Sequence, residues 1–160
     1  MRELLSTQIE GLPEPRKGKV REVYDLGDEL LIIATDRISA FDVVMANGIP
    51  GKGVILNQMS AFWFDKFSDV CPNHVVTVDD GKIAARVPGS HPELAGRSLI
   101  ARKAKPLPIE CVARGYLAGS LYKEYLAQGG GVHEFNLPSG IPNAGRQEEP
   151  IFTPATKAEE

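Results

Sequence analysis

Histidine and cysteine are scarce in this chain, with three histidines and two cysteines in 160 residues. Cys71 and Cys111 stand far apart with no histidine at zinc-ligand spacing, which excludes a metal finger and a disulfide scaffold and fits reduced thiols in a cytoplasmic protein. His74, His91 and His133 have no carboxylate, cysteine or serine at a useful spacing, so histidine-based catalysis is not expected. No stretch approaches the ~20 apolar residues of a membrane span, and Met1-Arg-Glu-Leu-Leu-Ser lacks a continuous apolar segment, so neither insertion nor secretion is expected. Positive charge is not in excess either. Lysine and arginine (18) are outnumbered by aspartate and glutamate (21), for a net charge of −3, and they are dispersed. That balance argues against a broad nucleic-acid face and confines anion binding to a local pocket. No internal repeat is visible.

The chain does have the composition of a soluble globular protein, 42% hydrophobic and 24% charged. Its most informative stretch is Pro106-Leu-Pro-Ile-Glu-Cys-Val-Ala-Arg-Gly-Tyr-Leu-Ala-Gly-Ser120. Ile109, Val112 and Ala113 suit a buried strand from which Arg114 emerges as a planar donor fork for two oxygens of a phosphate or carboxylate. Gly115 and Gly119 allow close approach and a sharp turn, and Ser120 is suited to cap a helix over 120–128 whose N-terminal N–H groups favour negative charge.

The remaining pattern is β-rich at first. Runs 19–26 and 30–35 around Gly27-Asp28-Glu29 predict an antiparallel hairpin, with 41–45 as a third strand. Leu56, Met59, Trp63, Phe67 and Val70 recur at helical spacing, predicting a core helix over 54–70. Runs 75–78 and 82–87 around Asp79-Asp80-Gly81 read as a second hairpin, and 98–104 as a strand. Ala104-Lys-Pro-Leu-Pro108 reads as a crossing between lobes. Gly129-Gly-Gly131 ends the second helix, 129–150 reads mostly as loop, and Thr153 onward has the flavour of a helix start. The fold class is therefore α+β: an antiparallel β-rich lobe with a long helix over 1–104, then the beginning of a second α/β lobe over 105–160.

Further residues suggest chemistry. Lys19 and Arg21, two apart on a strand, point to one face and could clamp phosphates, although a solvated basic edge explains them equally well. Gly51-Lys52-Gly53 is not a Walker A loop, because Ala46 and Gly53 occupy the places of its first glycine and its final hydroxyl. Asp36-Arg-Ile-Ser-Ala-Phe-Asp42 packs two carboxylates, a guanidinium and a hydroxyl into one turn. Asp36 and Ser39 could cap local backbone there, with Arg37 pairing to either aspartate.

The Pro106–Ser120 stretch resembles a signature of the SAICAR synthetase family. Gly18-Lys-Val-Arg-Glu-Val-Tyr-Asp25, Asp36 to Asp42, Gly51-Lys-Gly-Val-Ile-Leu-Asn57 and Phe152-Thr-Pro-Ala-Thr-Lys157 resemble further blocks of it, in the family's order. The resemblance implies an ATP-grasp-related two-lobe architecture and a ligase of de novo purine synthesis. Such an enzyme joins L-aspartate to a carboxylated aminoimidazole ribonucleotide through an acyl phosphate, with ATP and Mg2+. It implies that Lys19, Arg21, Lys103 and Lys157 meet ATP, with Lys157 stabilising phosphoryl transfer. It further implies that Arg114, Gly119 and Ser120 hold the ribonucleotide phosphate, that Glu110 binds the imidazole nucleotide or orients a lysine, and that Asp36 and Ser39 act at the substrate cleft. The family's acidic magnesium ligands lie beyond Glu160, so the metal ligands in this chain are not assigned. Two alternatives stay open: a non-catalytic nucleotide-binding portion of the enzyme, and an unrelated ATP-dependent kinase, which would phosphorylate an alcohol without needing aspartate.

Overall fold

The computed structural model describes residues 2–41, 43–132 and 135–156. They fall into two compact units that divide between Lys105 and Pro106.

The first unit is built on strands β1 (Arg16–Lys17), β2 (Arg21–Asp25), β3 (Glu29–Ala34), β6 (Val75–Thr77) and β7 (Ser98–Arg102), in the order β1-β2-β3-β7-β6 and antiparallel throughout. Alternation decides its faces. Glu22 and Tyr24 of β2 oppose Ile33 and Leu31 of β3, which oppose Ser98 and Ile100 of β7, and all six are buried on one side. Ile9, Ile83, Val87 and Leu94 complete this core. The other side carries Arg21, Val23, Ile32, Ala34 and Leu99. The expected β2–β3 hairpin is present, its turn closed by the Leu26 N–H donating to Glu29 O at 2.9 Å and by Gly27 at φ 93°.

Three expectations for this unit are corrected. The third strand does not join the hairpin: β4 (Arg37–Ala40) and β5 (Val43–Gly48) form a separate two-stranded sheet, and β5 starts at Val43 because Phe41 turns the chain with φ 50°. Residues 82–87 are not a strand. Asp79 accepts a hydrogen bond from the Lys82 N–H at 2.8 Å and so caps a short helix, α2 (Asp80–Ala84), which buries Ile83, while β6 pairs with β7 instead. The long helix exists as α1 (Lys52–Lys66), but its apolar stripe is not core: Leu56, Met59, Trp63 and Phe67 are all exposed. The face that meets the sheet is Gly53 and Asn57. A Cβ on Gly53 would sit 2.0 Å from Ala34 O, and Asn57 donates to Gly96 O and Ser98 O at 3.0 and 3.1 Å. Short side chains bring α1 close to the sheet and leave its aromatic side uncovered.

The second unit pairs β8 (Ile109–Leu117) antiparallel with β11 (Gly145–Thr156), with α3 (Gly119–Ala127) between them in sequence. Leu121 and Tyr125 of α3 pack on Leu117 and Ile151. The expected helix start at Thr153 is thus strand, because Phe152 to Thr156 pair residue by residue with Ala113 to Ile109. This pairing covers one edge of β8 only, and the expected burial of the strand is corrected: Ile109 and Ala113 are exposed and Val112 is half-buried, because the two-stranded sheet has no further layer over them among the described residues. Residues 129–150 are less irregular than expected, holding the short strands β9 (Gly131–Val132) and β10 (Phe135–Asn136). They are also pinned by the Tyr125 hydroxyl, which donates to Pro138 O at 2.5 Å and accepts from the Ile141 N–H at 3.2 Å. No helix among the described residues is long and apolar enough to cross a membrane.

Candidate functional site

In the first unit one candidate cation, Arg21, lies on the side of the sheet that faces α1. Arg21 lines a pocket of about 170 Å³ with Lys52, over a floor of Val20, Ile32, Leu56 and Leu99. Two cationic side chains at the edge of an apolar surface suit a ligand with a flat apolar part and an anionic part. Lys19 is exposed in the bend that precedes β2 rather than on the strand, so strand alternation does not govern where it points. Lys103 is exposed just past β7, and its ammonium donates to Asp25 Oδ2 at 2.5 Å and Gly27 O at 3.2 Å. This lysine and then the Gly27 N–H hold the Asp25 carboxyl below its ordinary pKa.

The Asp36 block is organised differently from a local turn. Asp36 is fully buried, and its carboxylate accepts from the Leu4 N–H at 2.8 Å, the Gly53 N–H at 2.8 Å and Arg97 Nη1 at 3.0 Å. Burial pushes its pKa up, but the three donors outweigh burial and hold it below the ordinary carboxylate value. Because Gly53 lies in the first turn of α1, Asp36 supplies the helix N-terminus with the negative charge that its own cap, Gly51, lacks. Ser39 is half-buried in β4, opposite Val44 of β5. Arg37 does not pair with Asp36; it meets the buried Glu22 at 2.8 Å. Asp42 lies outside the described residues.

In the second unit Arg114 is half-buried, and its Nε donates to Thr153 Oγ1 at 3.1 Å, while Thr153 donates to Val112 O at 3.1 Å. The two terminal guanidinium nitrogens donate to no protein atom among the described residues, so the fork stays available while its stem is fixed. Gly119 takes φ 62° with nothing within 4 Å of where a Cβ would stand, leaving the start of α3 open. Ser120 is exposed in the first turn and makes no side-chain cap; the cap position is Ala118. Glu110 is exposed on β8 opposite Ala155. Lys157 lies outside the described residues, just beyond Thr156, which pairs with Ile109.

Sequence reasoning missed Glu22, Arg97 and Asn57, whereas Lys52, read as a turn residue able to reach a ligand, does line the pocket. Glu22 carried a readable signal, since it alternates in phase with Tyr24 and so falls on the buried face. Arg97 and Asn57 had none, because their partners come from residues distant in sequence. The reading that His91 has no useful carboxylate is also corrected: its Nδ1 meets Glu93 Oε1 at 3.1 Å and its Nε2 meets Pro88 O at 3.0 Å, pins of a surface loop. Among the described residues no group of three histidine, cysteine, aspartate or glutamate side chains stands together as a metal site.

Residues 14–160 match the family model described as SAICAR synthetase. The chain is 53% identical over 156 residues to a phosphoribosylaminoimidazole-succinocarboxamide synthase of Syntrophotalea carbinolica and 49% identical to one of Geobacter sulfurreducens, covering 98% of this chain and 52% of each relative. The structure matches the SAICAR synthase of Saccharomyces cerevisiae complexed with SAICAR at a TM-score of 0.87 and 42% identity, covering 98% of this chain and 55% of that one. The chain therefore spans about half the length of these relatives.

Proposed function

The chain belongs to the SAICAR synthetase family, and from that membership we propose that it carries the nucleotide-facing and phosphate-binding parts of a cytoplasmic ATP-dependent ligase. The reaction joins L-aspartate to 5-amino-1-(5-phosphoribosyl)imidazole-4-carboxylate and yields SAICAR, ADP and phosphate. The two units are proposed as parts of an ATP-grasp-related two-lobe architecture, the first covering ATP and the second holding substrate.

The observation that carries this reading is the pairing of β8 with β11. It brings the Arg114 signature and residues Phe152 to Thr156 of the C-terminal block, distant in sequence, onto adjacent strands, with Thr153 fixing the stem of Arg114. A guanidinium anchored at Nε and open at its terminal nitrogens suits bidentate recognition of a phosphate, and the open backbone at Gly119 and the exposed Ser120 suit its remaining oxygens. In this reading Arg114, Gly119 and Ser120 hold the ribonucleotide 5′-phosphate, and Glu110 faces the imidazole. Lys19 and Arg21 meet the ATP phosphates, with Lys103 joining them by exchanging Asp25 for phosphate, and Lys157 stabilises the transferring charge. ATP supplies the activation that a carboxylate needs before the aspartate amine can displace phosphate from it. The chain's own residues contribute positioning and charge neutralisation, consistent with a set of lysines, arginines, glycines and hydroxyls. Ser39 is placed at the substrate cleft. The burial of Asp36 favours a supporting role for it, holding α1 and the β4 strand start.

The described carboxylates do not form a site for Mg2+, so no step is assigned to a metal bound by this chain. A second reading is that the chain binds nucleotides without turnover. ADP release in the presence of Mg2+, ATP and the carboxylated ribonucleotide, with and without aspartate, separates the two. Aspartate-dependent release supports the ligase, and binding without release supports the non-catalytic portion. Phosphate transferred stably to an alcohol would contradict both and select a kinase.

A further inference from the structure

We propose that Arg37 and Glu22 are positioning residues that hold the Gly18–Arg21 loop in the form in which Lys19 and Arg21 meet a phosphate. The inference rests on the reading of that loop as the nucleotide-facing one.

A guanidinium has five N–H donors, and Arg37 uses all of them on protein oxygens. Nε donates to Lys19 O at 3.1 Å, and Nη2 donates to Gly18 O at 2.9 Å and Arg21 O at 3.1 Å. Nη1 donates to Leu5 O and to Glu22 Oε1, the latter at 2.8 Å. None is left for a ligand, so Arg37 acts as a clamp behind the loop. The carbonyl between these three is taken as well: Val20 O accepts from the Thr35 N–H at 3.1 Å and from Thr35 Oγ1 at 2.9 Å. The Gly18 N–H also donates to Arg21 O at 2.9 Å, closing the turn.

Every carbonyl from Gly18 to Arg21 is thus engaged by a donor of the protein. For a loop that meets phosphate this matters, because a carbonyl dipole directed at an anion repels it. Glu22 makes the clamp tolerable. It is fully buried, balances the Arg37 charge, and is itself fixed by the Thr7 N–H at 2.7 Å and Thr7 Oγ1 at 2.5 Å. The Arg37 charge is thereby balanced within the protein, and Lys19 and Arg21 are the cations that this reading assigns to the phosphate. A lysine in place of Arg37 keeps the charge but not the planar fork, and its three N–H donors on one nitrogen cannot replace the five that Arg37 directs to five oxygens.

The test uses the whole 160-residue chain. Trypsin cleavage after Lys19 and Arg21 reports loop opening, and the ratio of ADP to adenosine affinity reports the phosphate contribution. Arg37→Lys is expected to speed cleavage within the loop and to lower that ratio by about tenfold, the size of one lost charge-assisted hydrogen bond, with adenosine affinity unchanged. Glu22→Gln repeats both measurements where Arg37→Lys does not fold. An unchanged cleavage rate overturns the clamp. A loop that opens with no change in the ratio overturns the positioning role, provided that Lys19→Ala/Arg21→Ala does lower it. A ratio indifferent to Lys19→Ala/Arg21→Ala removes the nucleotide-facing reading and the proposal with it.

Discussion

Asp36 shows how one side chain can organise a unit. Its two carboxylate oxygens tie the N-terminal segment at Leu4, the start of α1 at Gly53 and the residue before β7, Arg97. Removing the charge leaves Arg97 buried without its partner, so Asp36→Asn is expected to cost about 3–5 kcal/mol in urea unfolding. The pH dependence follows from the lowered pKa. Asp36 binds a proton more readily in the unfolded chain, so its contribution is complete above the unfolded value, about 3.9, and is lost as pH falls through the lower folded value. The stability gap between wild type and Asp36→Asn should therefore be constant above about pH 5 and shrink below pH 4. A gap that stays constant through pH 3 would mean that Asp36 does not stabilise the fold through its charge.

At the scale of elements, α1 is the most instructive. Its attachment depends on the absence of a side chain at Gly53 and on the amide of Asn57. Gly53→Ala must push the helix away from Ala34 O and is expected to destabilise the unit by about 1–3 kcal/mol. Asn57→Ala should cost a similar ~1–3 kcal/mol by leaving Gly96 O and Ser98 O short of a donor. Trp63, 46% exposed and stacked on Phe67, should be readily quenched by acrylamide in the folded chain; protection comparable to a core tryptophan would contradict the orientation of the helix.

The same helix explains what the sequence could and could not reveal. Spacing located α1 to within a few residues, because periodicity is a local property. It could not say which side faces inward, since the decisive contacts of Gly53 and Asn57 are with strands far along the chain. The β2–β3 hairpin and β8 were legible for the same local reason. The 82–87 segment was misread because the Asp-Asp-Gly run that suits a hairpin also suits a helix cap, and only the pairing of β6 with β7 decides between them. In the candidate site, Arg114 and its glycines were legible from the strand-to-helix transition, whereas the anchor at Thr153 required the β8–β11 register.

At the scale of the whole molecule, the two units are joined by a run in which every residue from Arg102 to Glu110 is exposed and no strand or helix spans 103–108. A nonspecific protease is expected to nick first between Lys103 and Pro108, giving two fragments by mass spectrometry. First cuts within β2–β3 or β8–β11 would contradict the division into units.

The central claim is that the second unit holds a phosphate with Arg114. It is tested most directly by calorimetric titration of the chain and of Arg114→Ala with the carboxylated aminoimidazole ribonucleotide. The account predicts binding by the wild type and a loss of about 2–3 kcal/mol in the variant, with the thermal midpoint little changed. Equal affinity in the two proteins would contradict it.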